Sequence, residues 1–346
     1  MIREQIKKVV SGHDLSREDA LSTMDLILDG RVSGAQTAAF LVGLKMKGER
    51  PEEVAGLVAS VRRHAVTVSV EDPRAVDCTG TGGDSARSFN ISTAAALVAW
   101  AAGATVAKQG NRLVGSRCGS ADMVEALGAK LNPLPQQVEK SLNELGFGYL
   151  YGPRFHPSLQ PVLEIQREIG ARTTLSIIGP LVNPAGVTRL LVGVYDKELM
   201  SLTADVLRMT GAEHVMVVHS RDGMDELSVS GPTDYLELDR DTISVKTLSP
   251  EDVGLPVYPF GAVSGGDPKD NARIFRNILA GQPGACRDAT VFNAGAVLYL
   301  ADKVESVAEG VMSAQQALDS GAAAEKLETW LVSTKMSDNT AGNHNV

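Results

Sequence analysis

Through the first 67 residues apolar positions recur every three to four places, and nowhere there do they alternate as in a strand. Leu21, Met24, Ile27 and Leu28 share one helical face behind Ser16-Arg17-Glu18-Asp19, where a capping serine and early acids favour a helix start. Gly30 ends that helix. Ser33 and Gln36 have capping-box spacing ahead of Ala38–Val42, and Arg50-Pro51-Glu52-Glu53 opens a third long helix with proline in its first turn. Residues 68–74, with Pro73 and several charges, read as a linker.

Beyond the linker the pattern changes. Apolar β-type runs at Ala75–Cys78, Thr105–Ala107, Gly146–Tyr151, Leu190–Tyr195 and Val215–Val218 alternate with helical stretches, which predicts parallel strands joined by helices. Tyr235–Leu238 and Ile243–Lys246 flank Asp239-Arg240-Asp241 as a peripheral hairpin. Pro157–Ile169 reads helical, and Gly179-Pro180 and Asn183-Pro184 punctuate a stretch expected to cross between domains over a cleft. From Asp267-Pro268 helices dominate to Trp330, and the polar residues 333–346 read as a disordered tail. The predicted fold class is α/β: a small all-helical N-terminal domain (1–67), with helices from about 157–190 as candidates to join it, beside a larger α/β domain (75–332) with a central, mostly parallel sheet.

One stretch concentrates the chemistry. Residues 77–120 run from a strand into glycines at Gly80, Gly82 and Gly83, then through the polar residues Ser88–Thr93 into the small apolar helix Ala94–Ala102. Strand, glycine loop and helix start together present backbone N–H groups to an anion. No acidic residue falls between Asp84 and Asp122, whereas Arg87, Lys108, Arg112 and Arg117 do, inside a chain of formal net charge −9. A single basic window in an acidic chain points to a small anionic ligand such as phosphate, not to a nucleic-acid surface. Aromatic residues, at 4%, are too few for base-stacking platforms.

Cys78, Cys118 and Cys286 are odd in number and far apart, which excludes a disulfide framework and the usual zinc spacings and fits a reducing, cytoplasmic setting. The six histidines lack any HExxH-like spacing. The first ten residues lack a secretory apolar core, and Ala94–Ala107 is too short to span a membrane.

Seven blocks in order carry a family resemblance. They are Asp77–Asp84, Phe89–Thr93, Lys108–Arg112, Gly119–Asp122, Gly179–Pro184, Asp225–Ser228 and Gly265–Pro268. Over nearly its whole length the chain resembles the anthranilate phosphoribosyltransferases of tryptophan biosynthesis. The resemblance implies phosphoribosyl pyrophosphate as donor, anthranilate as acceptor, magnesium, and a homodimer with no nucleic acid or membrane partner. It implies diphosphate contacts at Gly80, Gly82, Asp84, Asn90, Ser92, Thr93, Lys108 and Ser120, with Gly83 and Ser88 lining the same loop. Ser92, Asp225 and Glu226 would hold the metal, and Lys108, Asp225 and Glu226 the chemistry of the leaving group. Asn111, His156, Gly179 and Pro180 would line the acceptor. Two positions depart from the family pattern: Gln109 stands for histidine, and Gln166 for an arginine expected at the anthranilate carboxylate. An amide cannot form that ion pair. A related transferase with another aromatic or heterocyclic amine, a nucleoside phosphorylase, and a non-catalytic nucleic-acid-binding relative are the alternatives.

Overall fold

The protein, described by a computed structural model over residues 2–82, 87–112, 118–131 and 133–336, is built on one seven-stranded sheet. Its strands are β1 (Val76–Gly80), β2 (Val106–Gly110), β3 (Phe147–Tyr151), β4 (Arg189–Gly193), β5 (His214–Ser220), β6 (Thr233–Asp239) and β7 (Thr242–Leu248). They lie in the order β3-β2-β1-β4-β5-β6-β7, the first five parallel and the last two antiparallel. The sheet is therefore mostly parallel, and the expected hairpin at Asp239–Asp241 forms its edge.

Strand side chains alternate between two apolar cores, as the pleat requires. Val76, Cys78, Val106, Phe147, Leu191, Met216 and Val218 face one core; Ala107, Leu150, Leu190, Val192, Val215 and Val217 face the other. The first core is covered by α5 (Ile91–Ala101), α6 (Ser120–Leu127), α12 (Pro268–Leu279), α13 (Ala285–Leu300), α14 (Val307–Asp319) and α15 (Ala322–Met336). α5 packs against β1 and β2 and against α13, α14 and α15, which is why nearly all of its small residues are buried.

The N-terminal helices α1 (Ile2–Val10), α2 (Arg17–Leu28), α3 (Gly34–Lys47) and α4 (Pro51–Arg63) pack as α1 on α3 and α2 on α4. Ser16 caps α2 by accepting from Asp19 N–H, and Ser33 and Gln36 form the expected capping box. Their core is continuous with the second face of the sheet: Leu44, Leu57 and Val58 belong to the same cluster as Leu190 and Val215. After α7 (Pro135–Leu145) and the short α8 (Gly152–Phe155) come α9 (Gln160–Ile169) and α10 (Leu175–Ile178), which pack on α3 and α4; α11 (Leu199–Met209) also packs on α4.

One boundary is corrected. Residues 333–336, expected in the tail, continue α15, because Thr334 is buried, donates to the Leu331 carbonyl and accepts from Lys130 N–H. Residues 337–346 lie outside the described residues.

Candidate functional site

β1 and β4 are neighbours whose outgoing chains leave toward opposite halves of the sheet, and in such sheets the crevice at the strands' carboxyl ends is where ligands bind. Both strands end in glycine, Gly80 opposite Gly193. A side chain at Gly193 would place Cβ 1.6 Å from the Asp225 carbonyl oxygen, and one at Gly80 would place it 2.6 Å from Asp225 Oδ2. The two glycines thus let the segment after β5 lie directly on the strand ends. Thr81 fastens the corner, donating its N–H to the Gly193 carbonyl and accepting at its hydroxyl from Tyr195 N–H.

The acidic pair reaches the loop and the helix start. Gly82 N–H donates to Asp225 Oδ2 at 2.7 Å, and Ser92 N–H, in the first turn of α5, donates to Glu226 Oε1 at 3.1 Å. Asn90 precedes α5 without capping it, since its amide accepts from Asn271 Nδ2 and the Cys118 thiol and donates to the Cys118 carbonyl. Asn293 of α13, fully buried, brackets the next peptide: Leu227 N–H donates to its Oδ1 at 3.0 Å and its Nδ2 donates to the Leu227 carbonyl at 2.9 Å. Thr93 is buried, and its hydroxyl has no partner among the described residues.

Lys108 near the end of β2 is buried and donates to the Gln109 carbonyl at 2.9 Å. Beneath it Asp77 accepts from Cys78 N–H, Gln109 N–H and Asn183 Nδ2, the last at 2.7 Å. Burial pushes the Asp77 carboxyl above its usual range despite the pull of Lys108. The Cys78 thiol is also raised, first by burial and then by the Glu226 charge, with Lys108 acting against both. Glu226, Lys108 and Asp77 therefore share one small region. Cys118 is pushed up to about 11 by burial, which leaves it a thiol and no nucleophile.

Across the loop, Ser120 Oγ accepts from Asn111 N–H at 3.1 Å and meets Tyr149 OH at 2.9 Å, so Ser120 and Asn111 sit together at the start of α6. Ser88 pairs with Ser264 in an antiparallel bridge that ties the loop to the Gly265 block. Gly83 and Asp84, like Arg117, lie outside the described residues. Arg112 is not a free cation for a ligand: it is paired with Asp122 and Glu125 of α6. Counting charge along the chain overlooks these partners because they follow the basic window and fold back onto it.

The residues expected at the acceptor make the following contacts. Gln109 Nε2 donates to the Gly179 carbonyl at 3.2 Å, Pro180 is buried, and a Cβ at Gly179 would meet nothing within 4 Å. Gln166 is held by the region around α10, its Nε2 donating to Ser176 Oγ and its Oε1 accepting from Thr173 Oγ1, both at 3.1 Å. His156 is buried, and neither ring nitrogen has a well-formed hydrogen bond among the described residues. Burial lowers its pKa to about 4, with the Val182 backbone pulling weakly the other way. A pKa below the unfolded value means a stability contribution complete above about pH 6.5 and lost as the pH falls toward 4, where the unfolded chain binds the proton and the folded one does not. Chemical denaturation is expected to show the chain about 2 kcal/mol less stable at pH 5 than at pH 7 from this group, and His156→Leu to remove that part of the slope.

Among the sites the sequence singled out, Gly80, Gly82, Ser92, Asp225 and Glu226 converge directly, with Lys108 buried beside them. Asp77, Asn183, Asn293 and Tyr149 support this site and drew no role from sequence. Their signal was present in part, as polar residues inside otherwise apolar strands and helices. Among the described residues no three His, Cys, Asp or Glu side chains are grouped to hold a metal alone.

The helical bundle and the α/β sheet each match a glycosyl transferase family, which gives the class of protein. Residues 3–65 match the family described as "Glycosyl transferase family, helical bundle domain" and residues 72–324 the one described as "Glycosyl transferase family, a/b domain". The anthranilate phosphoribosyltransferase of Moorella thermoacetica is 44% identical over 328 residues, covering 95% of this chain and 97% of the relative. That of Thermomicrobium roseum is 44% identical over 332 residues, covering 95% of each. The crystal structure of the Thermus thermophilus enzyme matches with a TM-score of 0.91 at 39% identity, over 96% of this chain and 99% of that one. The Saccharomyces cerevisiae enzyme in complex with PRPP and Mg matches at 0.88 and 27% identity, over 97% and 98%. The chain belongs to the anthranilate phosphoribosyltransferase family, whose members are transferases of tryptophan biosynthesis.

Proposed function

We propose that the chain transfers the 5-phosphoribosyl group of phosphoribosyl pyrophosphate to the amine of anthranilate, releasing pyrophosphate. The observation that carries this reading is the meeting of the Gly82 and Ser92 amides with Asp225 and Glu226 at the ends of β1 and β4. The donor's diphosphate takes the Gly82 and Ser92 corner, with Gly80, Ser88, Asn90, Thr93 and Ser120 around it, and Gly83 and Asp84 keep the diphosphate role that the family resemblance implies. The buried Lys108 supplies positive charge behind the leaving group.

The donor set fits magnesium. Two carboxylates and the Ser92 hydroxyl are hard oxygen ligands, fewer than a complete shell, and magnesium characteristically completes its shell from substrate phosphate and water. When bound, the cation neutralises the diphosphate and favours its departure. The chain's own residues do the rest. The amides and Ser120 hold the diphosphate, while Asn111, His156, Gly179 and Pro180 position the acceptor ring on the opposite wall. The amine then attacks C1′ from the face opposite the leaving group, giving inversion, and positioning supplies much of the rate. His156 is kept neutral by burial and acts as a shape-defining wall residue. The active form is a homodimer acting on small molecules. Among the described residues no helix is long and apolar enough to cross a membrane.

Loss of anthranilate fluorescence on adding donor and magnesium tests the reaction; no decay, with turnover of another amine, overturns the acceptor assignment alone. Gln166→Arg is expected to lower the KM for anthranilate about tenfold by restoring a charge-assisted contact to its carboxylate. An unchanged KM would show that residue 166 does not face that group.

A further inference from the structure

Two amides that the donor reading assigns to the diphosphate are already occupied. Asp225 Oδ2 lies 2.7 Å from the Gly82 nitrogen and Glu226 Oε1 lies 3.1 Å from the Ser92 nitrogen, so carboxylate oxygens stand where phosphate oxygens would bind. The surroundings enforce this. Asn90, the residue placed to cap α5, is committed to Asn271 and Cys118, which leaves the Ser92 amide to Glu226. Asn293 fixes the peptide just after Glu226 from both sides, and Gly80 and Gly193 keep the space that Asp225 fills free of side-chain atoms.

Resting on the donor-site reading above, we propose that Asp225 and Glu226 make the site selective for diphosphate that carries a divalent cation, and reject the free anion by holding its amide donors. A bare diphosphate must break two charge-assisted hydrogen bonds and then sit against two carboxylates with no cation between them. A cation-bearing diphosphate gives those carboxylates a new ligand, so both amides are released in the event that delivers the anion. The two bindings are therefore coupled, each strengthening the other to the same degree.

Removing the pair should act in opposite directions on the two forms of the ligand, which no purely structural role predicts. Isothermal titration of the full chain with inorganic pyrophosphate reads this out. Salt of about 0.5 M shortens the screening length to about 4 Å and suppresses distant charge effects. Without metal, the Asp225→Ala/Glu226→Ala variant is expected to bind pyrophosphate about tenfold more tightly than the unaltered chain, because two anionic competitors are gone. With magnesium the order reverses. Equal metal-free affinities would overturn the selectivity mechanism, whereas an unaltered chain that fails to bind pyrophosphate even with magnesium would sink the donor site itself. A second measurement needs no variant: the unaltered chain is expected to bind pyrophosphate more tightly as magnesium is raised, and magnesium more tightly by the same factor as pyrophosphate is raised. A pyrophosphate affinity unmoved by magnesium contradicts the proposal.

Discussion

Replacing Asp225 and Glu226 together with alanine is expected to lower kcat/KM for the donor by about a thousandfold, roughly 4 kcal/mol of transition-state stabilisation. The reaction separates a diphosphate from C1′, so negative charge grows on the leaving group as the bond breaks. Lys108 and the loop amides remain in the variant, but a cation neutralising that charge would lose the two carboxylate ligands proposed for it. The fold should survive, because Asn293 still holds the Leu227 peptide and the Asp225 backbone still lies on Gly193, although the end of β1 loses its contact with the Asp225 carboxylate. Steady-state kinetics with saturating anthranilate check this. A loss of less than tenfold would mean that the pair does not hold the cation. The same variant is the one expected to bind free pyrophosphate more tightly, so weaker catalysis and stronger metal-free binding are two faces of one change.

Gly193→Ala should be nearly as damaging by another route. Its added carbon would lie 1.6 Å from the Asp225 carbonyl oxygen and 2.5 Å from the carbonyl carbon, both backbone atoms that no rotamer change can move. Either β4 or the Asp225 segment must shift. Overpacking of this kind, against backbone at a strand end, is expected to cost at least about 3 kcal/mol in chemical denaturation and to abolish turnover. Gly179→Ala is the matched control. Its φ is −45° and its added carbon meets nothing within 4 Å, so stability should change by less than about 0.5 kcal/mol while the KM for anthranilate rises. Wild-type stability and activity in Gly193→Ala would show that the segment after β5 is free to move off the sheet.

The parts of this architecture set by local chemistry were legible in the sequence. Strands β1 to β5 each show as a short apolar run, and Ser16, Ser33 and Gln36 announce their helix starts. The acidic pair stands out in the sequence as adjacent carboxylates in a turn after a strand, and the fold sets it against the glycine loop and the start of α5. What stayed hidden depends on distance along the chain. Asn183 is 106 positions from the Asp77 carboxylate it holds, and Asn293 is 66 positions from the Leu227 peptide it brackets. Asn293 stands out as a polar residue within an apolar stretch of its helix, but nothing local names the partner of either asparagine. Arg112 illustrates the opposite failure, where a charge that looks available is spent on Asp122 and Glu125. The N-terminal bundle reads as a separate helical unit, yet its core merges with the sheet, since an apolar stripe does not name the surface it will cover.

The account is tested most directly by a crystal structure with phosphoribosyl pyrophosphate and manganese in place of magnesium, the metal located by its anomalous signal. The predicted result is a diphosphate on the Gly82 and Ser92 amides, with manganese bound between it and the carboxylates of Asp225 and Glu226. A donor seated elsewhere, or a metal that leaves both carboxylates on the amides they hold without it, would contradict the account.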